Sequence, residues 1–172
     1  MENEKEKLPS VEEIASQLKE ENNEQEAEKN DATIEQLIEL LSSHNHEHKD
    51  AGLELLKNEK SIHFLIDAIT QTQEKAHKAV LAAACWESGL DFKGHESFFA
   101  DLALDTDMFV SLEAITVLDT MEMEIATMKN IIEKIDEKAL LKHPNKEMLL
   151  DFKTTLTERI NRPEGSDNYT EE

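Results

Sequence analysis

Hydrophobic residues recur at steps of three and four through most of residues 31–162, which is the spacing of one face of an α-helix. The first stripe consists of Ile34, Leu37, Ile38 and Leu41, and it ends at a polar turn over residues 42–45. Seven further stripes follow, separated by short polar segments. Because this period continues almost without interruption, the pattern predicts an all-α protein of eight helices.

Several predicted helix ends carry residue types that begin or close a helix. Gly89 follows the fourth stripe, and a glycine in that place favours the left-handed conformation that closes a helix. Asp107 precedes the sixth stripe, where its carboxylate can accept backbone N–H bonds as an N-cap. Pro144 ends the seventh helix at His143, and Asn145 is predicted to cap the eighth.

Composition agrees with this prediction. Aromatic residues make up 5% of the chain and charged residues 33%, with 4 Gly and 3 Pro. Sparse aromatic and β-branched runs disfavour sheets, while abundant Ala, Leu, Glu and Lys favour helices. A single Cys excludes an internal disulfide, and no apolar run reaches the ~20 residues of a membrane span. The charged N-terminus also lacks the apolar core of a signal peptide. We therefore expect a cytoplasmic protein without a membrane segment.

The two ends of the chain differ from its centre. Residues 1–30 hold ten acidic residues against four lysines and few large apolar groups, which is typical of disorder. Residues 10–18 are an exception, because Ser10 and Glu13 form a capping-box pattern within an apolar stripe. They are compatible with a transient helix, a docking peptide or a leading helix packed on the domain. Residues 163–172 are predicted to be a disordered tail, which leaves 31–162 as the helical domain.

Three segments of the centre align without gaps and suggest internal repetition. In each, the last apolar residue of the first helix precedes an Ala of the second helix by ten positions. The three pairs are Leu41 with Ala51, Ile69 with Ala79, and Leu104 with Ala114. A small residue in the second helix lets the first helix cross it closely, and neighbouring hairpins can then bury the remaining apolar surface. Residues 124–162 are predicted to form a C-terminal cap, because terminal repeats are often atypical.

Residues 98–118 resemble a unit of the HEAT-repeat family. They show an apolar helix, a turn containing Asp105 and Asp107, then Val110 and a second helix that bears Ala114. The family pattern usually has Arg after this valine, where the present chain has Ser111. The resemblance implies a short right-handed superhelix of antiparallel helical hairpins, a HEAT-like α–α solenoid. An irregular helical bundle is the alternative architecture. The family acts mostly as protein-binding scaffolds, which implies a non-catalytic interaction module.

Charge indicates the kind of partner that such a module would bind. The net charge is -21, and residues 94–128 contain eight acidic residues and no Lys or Arg. This balance opposes binding to nucleic acid and favours a basic protein partner. The expected partner-binding residues are Glu96, Asp101, Asp105, Asp107 and Glu113. Residues 129–162 hold eight basic against six acidic residues, so self-association of this part with the acidic units of another chain is a related hypothesis.

The histidines provide the alternative function, a metal- or histidine-dependent helical enzyme or enzyme-assisting protein. The densest set of potential ligands is His44, His46, Glu47 and His48, which could chelate Zn²⁺ if the segment were extended. The segment falls at a turn and a helix start, where alternate side chains diverge. No motif places a nucleophile beside a base either. The sequence therefore favours a protein with no catalytic residues, no metal and no cofactor.

Cys85 and Trp86 form the most distinctive dipeptide of the chain. Cys85 is flanked by alanines and is expected to be a small buried hydrophobic residue. Trp86 lies three residues after Ala83, on the stripe predicted to face the core, so we expect it to be packed inside. An exposed Trp86 would instead be the first candidate for a binding hot spot.

Overall fold

A computed structural model describes residues 26–57, 60–139 and 142–162. These ranges contain eight α-helices and no strand, which confirms the predicted all-α class. The helices are α1 (Glu26–Leu41), α2 (His46–Leu55), α3 (Lys60–Gln71), α4 (Lys75–Glu87), α5 (Glu96–Ala103), α6 (Met108–Thr120), α7 (Ile125–Ala139) and α8 (Lys146–Asn161). No helix of the described ranges is long and apolar enough to cross a membrane.

Helix α1 begins at Glu26, inside the acidic segment 1–30 that composition assigned to disorder. Residues 26–30 are helical, in agreement with the high helix propensity of the Glu, Ala and Lys residues among them. The predictions for the rest of that segment, including residues 10–18, and for the tail over 163–172 lie outside the described residues.

The helix ends agree with two of the four sequence predictions and correct the other two. Asp107 caps α6 by accepting the backbone N–H groups of Phe109 and Val110. Gly89 has a φ of 68° just past the end of α4, a conformation that other residues rarely adopt. Helix α7 ends at Ala139, four residues before the predicted end at His143. Asn145 stands at the N-cap position of α8, but its side chain makes no capping bond.

Consecutive helices pack against each other as α1 with α2, α3 with α4, α5 with α6, and α7 with α8. Further contacts join these pairs: α4 packs extensively on α6, α5 on α7, and α1 on α4. A hydrophobic cluster extends through all of them, from Ile34 in α1 to Leu156 in α8. Phe99 lies at its centre with no exposed surface, edge-on to Phe92 and Phe98 at ring-centroid distances of 5.3 and 5.1 Å.

Small residues permit the close crossings within the pairs. Ala79 and Ala114, two of the three alanines at the ten-residue offset, are buried. In the first pair Ala51 is only half-buried, and the close approach falls one residue later, at Gly52. A Cβ added at Gly52 would lie 3.1 Å from Leu41 Cδ2, so α1 leaves almost no room there.

The C-terminal pair, α7 with α8, is attached to the preceding pair by side chains that reach backbone carbonyls. Asn145 Nδ2 donates to the carbonyl of Asp105 at 3.0 Å and to that of Thr106 at 3.4 Å. Arg159 Nη2 donates to the carbonyl of Met121 at 2.7 Å. The carbonyls of Asp105 and Thr106 lie in the turn between α5 and α6, and that of Met121 lies at the C-cap of α6. The side chain of Asn145 therefore bonds this turn and not the start of its own helix.

Candidate functional site

Helix α4 is apolar on more than one side, and the structure buries a different side from the one that the sequence favoured. The stripe predicted to face the core consists of Ala76, Ala79, Val80, Ala83 and Trp86. Of these only Ala79 is fully buried, whereas Ala76 and Trp86 are exposed. The core instead receives Leu81, Ala82, Ala84 and Cys85. That prediction is wrong because a helix with alanines on every side gives periodicity no means of selecting the buried face.

Helix α6 shows the same division. Its buried side consists of Val110, Ser111, Ala114, Ile115, Val117 and Leu118. Met108, Phe109 and Leu112 are apolar as well, yet they are 54%, 60% and 42% exposed. Ser111, at the position where the HEAT pattern usually has Arg, is fully buried and donates to the carbonyl of Ala103 in α5.

The exposed sides of α4 and α6 border one groove of about 330 Å³. Its lining consists of Ala76, Ala79, Val80, Ala83, Asp107, Phe109 and Glu113. The four small residues of α4 form the apolar floor, while Phe109 is the large apolar side chain of the opposite wall. Asp107 and Glu113 bring the carboxylates. The groove is thus an apolar surface with acidic groups on its α6 side.

Trp86 lies beside Glu113 and is 39% exposed, so the prediction that it packs in the core is wrong. Its indole Nε1 donates to Glu113 Oε2 at 2.8 Å, which orients the ring across the boundary between α4 and α6. Trp86 also borders a second cavity of about 380 Å³, whose lining includes Leu90, Val117 and Met121. Trp86 lines the second cavity and bonds Glu113, which lines the groove, so this pair connects the two cavities. Trp86 is also the largest aromatic side chain of this surface.

Two of the five acidic residues expected to bind a partner, Asp107 and Glu113, line the groove. Asp105 lies next to it and forms an ion pair of 2.6 Å with Lys75 of α4. Partial burial raises the pKa of Asp105, but the backbone N–H of Asp107 and the nearby Lys75 outweigh this effect and hold the pKa below its usual value. Asp105 is therefore ionised and already paired.

The other two expected residues, Glu96 and Asp101, lie on α5. Glu96 accepts the backbone N–H of Gly94 at 2.9 Å, within the loop that leads into α5. Asp101 forms an ion pair of 2.6 Å with Lys134, which belongs to α7. The acidic residues of this region therefore have separate local roles, and only those near α4 and α6 border the apolar groove.

The remaining candidates for chemistry lie apart from this surface. His44 and His46 are exposed, and Asn45 between them caps α2 by accepting the N–H of Glu47. The rings of His63 and His95 form a T-shaped contact with their centroids 5.7 Å apart. Within the described part of the chain, no three His, Cys, Asp or Glu side chains are grouped closely enough to hold a metal ion.

Cys85 is buried, as the sequence predicted. Burial raises the pKa of its thiol far above the usual range, which keeps the sulfur protonated and unreactive. Its Sγ lies 3.4 Å from the carbonyl oxygen of Leu81, one turn earlier in α4. Cys85 is thus part of the packing of α4.

No known family model, curated protein or solved structure matches this chain. The exposed aromatic and aliphatic residues of α6 were not among the residues that the sequence proposed for binding. A signal for them was present, since α6 carries large apolar groups on every side of a helix that also borders solvent. Such a helix is either enclosed by the protein or offers one side to a partner.

Proposed function

We propose that this chain is a non-catalytic protein-interaction module that binds its partner in the groove between α4 and α6. The observation that carries the proposal is the exposed apolar pair Phe109 and Leu112, one turn apart on α6, beside the alanine floor of α4. Trp86, also exposed, is held next to them by its bond to Glu113, which lines the groove. Single exposed apolar residues are ordinary, but a contiguous group of this kind marks an interaction surface. Trp is also the residue type most enriched among binding hot spots.

The acidic groups of the groove support a partner with basic residues. Glu113 and Asp107 stand beside the apolar floor, and residues 94–128 supply no Lys or Arg that could neutralise them from within the same units. Complementary charge speeds association and selects partners more than it raises affinity. We therefore assign the affinity to the apolar groups and the selectivity to the carboxylates.

We also propose that the helices form a short HEAT-like superhelix and that the protein works in the cytoplasm. Pairing of consecutive helices, together with the contacts of α4 with α6 and of α5 with α7, is what stacked hairpins require. The contact of α1 with α4 departs from such a stack at its first unit. The cytoplasmic proposal is supported by the buried free thiol of Cys85 in a chain that has one Cys.

Affinity capture with matched variants tests the groove. Proteins retained by the wild-type chain are identified, and one of them is purified and titrated against Phe109→Ala and Trp86→Ala. We expect each variant to weaken binding by about 1–2 kcal/mol or more, as truncated hot spots do. Ile125→Ala and Leu150→Ala remove comparably exposed apolar groups elsewhere and should bind like the wild type. Equal binding by all four variants would show that the groove is not the interface.

A further inference from the structure

We infer that the groove between α4 and α6 receives a basic amphipathic helix of the partner, with its apolar face on the alanine floor and its Lys or Arg residues beside Glu113 and Asp107. This inference rests on the proposed function and narrows it to one kind of ligand. Three features of the groove lead to it: the walls are helices, the floor is small and apolar, and the charged groups are acidic.

The walls favour a helical ligand over an extended one. Backbone N–H and C=O groups within α4 and α6 are paired inside their own helices, so the groove offers side chains and no free sheet edge. An extended peptide would leave its backbone groups without protein partners along such a surface. A helix satisfies these groups internally and needs only an apolar face for the groove, which is the helix-in-groove mode of peptide recognition.

The floor fixes the spacing of the ligand's apolar residues. The stripe from Ala76 to Trp86 covers eleven residues of α4, and the ten steps between its ends give a length of about 15 Å, nearly three turns. Ala76, Ala79 and Ala83 leave space for large side chains, and Phe109 and Trp86 supply aromatic contact area. A ligand helix that follows this length would place apolar residues at positions i, i+3 or i+4, and i+7.

The charges favour lysine or arginine beside that face. Glu113 bonds Trp86 and so lies at the Trp86 end of the stripe, whereas Asp107 lies at the opposite end, next to the Asp105–Lys75 pair. Two lysines of α4 lie at the Asp107 end: Lys75 forms the 2.6 Å ion pair with Asp105, and Lys78 helps to lower the pKa of the same carboxyl. Glu113 lies at the other end of the stripe, away from both. An anionic membrane or a second copy of this chain, with its own net charge of -21, would meet repulsion at the same place.

Trp86 is the single Trp of the chain, so its fluorescence reports on binding beside the groove without an added label. The full chain is titrated with a synthetic Leu/Lys peptide of roughly 18 residues, or five helical turns, that has leucines along one helical face and no Trp. We expect a saturable change in Trp86 emission that weakens at higher salt. Phe109→Ala should weaken binding about tenfold or more, Glu113→Gln about two- to fivefold, and Ile125→Ala not at all.

Two further peptides test whether binding requires the positive charge of the peptide and the alignment of its leucines on one helical face. A Leu/Glu peptide of the same pattern and a Leu/Lys peptide with scrambled order should both fail to bind. The inference is overturned if the scrambled peptide binds equally well, if the Leu/Glu peptide does, or if Phe109→Ala keeps full affinity for the Leu/Lys peptide. If none of the peptides binds although captured proteins still depend on Phe109, the proposed function stands and the ligand class is wrong.

Two other occupants are tested in the same experiment. A full-length variant with Val11, Ile14 and Leu18 all changed to Asp reports on the chain's own segment over residues 10–18. A tenfold tighter binding of the Leu/Lys peptide by this variant would show that the segment occupies the groove, and would overturn the inference. Light scattering that shows a dimer lost on Phe109→Ala would overturn it in favour of a second copy. An unchanged affinity and a monomer support the basic helix.

Discussion

The helix pair α5 and α6 has two flanks, and they are built differently. On one flank α4 packs on α6 and leaves Trp86, Phe109 and Leu112 in solvent beside an acidic groove. On the other flank the pair α7 and α8 is attached through Asn145 and Arg159, whose side chains donate to backbone carbonyls. Both flanks bury core residues, but the exposed apolar groups of the first include the aromatic residues Trp86 and Phe109, whereas those of the second, Ile125 and Leu150, are aliphatic. The comparison shows a flank closed by another helix pair and a flank left open, and the proposed function assigns the open flank to a partner.

Asp105 belongs to both flanks. Its Oδ2 accepts from Lys75 of α4, its Oδ1 accepts the N–H of Asp107, and its carbonyl accepts from Asn145 of the C-terminal pair. The turn between α5 and α6 is therefore held from both sides through a single residue. Its position also explains why this acidic residue is a structural group and is not free to bind a partner.

The largest expected effect contrasts two phenylalanines of neighbouring helices. Phe99→Ala should lower the free energy of unfolding by about 3–5 kcal/mol, because it opens a cavity at a fully buried site. Phe109→Ala should change it by less than about 0.5 kcal/mol, because this ring is mostly exposed. Urea unfolding of both variants provides the measurement. A similar loss in both would mean that the groove residues stabilise the domain, and the contrast between the flanks would fail.

The second prediction concerns the closed flank. Asn145→Ala should cost about 1–3 kcal/mol, because the carbonyls of Asp105 and Thr106 lose their donor in a buried place. Asn145→Asp should be no better, since a carboxylate has no N–H to donate. If Asp restored stability, the residue would act as a helix cap and the structural assignment would be wrong. Asn130→Ala, at an exposed position of α7, is the control and should stay within about 0.5 kcal/mol.

The third prediction concerns how the stability contributed by Asp105, in the turn between α5 and α6, depends on pH. The pKa of Asp105 is lowered in the folded state, so its ionised form stabilises the fold above the ordinary carboxyl range. This contribution is lost as the pH falls through and below about 4. Asp105→Asn should therefore be less stable than the wild type at pH 7, and the difference should shrink in acid. Thermal unfolding of both proteins between pH 7 and 3 checks this, and a constant difference would contradict the assignment.

The smallest expected effects come from single exposed pairs, one on each flank. Asp101→Ala removes the ion pair with Lys134, and Glu113→Ala removes the acceptor of Trp86. Each should change the free energy of unfolding by less than about 1 kcal/mol, since such surface pairs contribute little. Denaturant midpoints measured side by side would show this. A large loss of unfolding free energy in Glu113→Ala would mean that the bond between Trp86 and Glu113 holds α4 and α6 together. That result would contradict the interpretation of this side as an open surface.

Much of this molecule was predictable from local sequence. Hydrophobic residues at steps of three and four predicted the helices, while Asp107 and Gly89 marked helix ends that the structure confirms. The groove was not predictable in the same way. The acidic residues were chosen by charge alone, and charge does not reveal that Asp101 pairs with Lys134 some thirty positions further along the chain.

What the sequence determined by itself is the all-α class, the helix ends marked by Asp107 and Gly89, and the strongly acidic character. These depend on neighbouring residues and on composition. What only the tertiary structure decided is which side of α4 and α6 is buried, and hence that Trp86 faces solvent. Both helices are apolar on several sides, so burial of either side is favourable, and the choice falls to the neighbours that pack against them. The same holds for Asn145, whose side chain could cap its own helix but instead serves carbonyls that the fold brings within its reach.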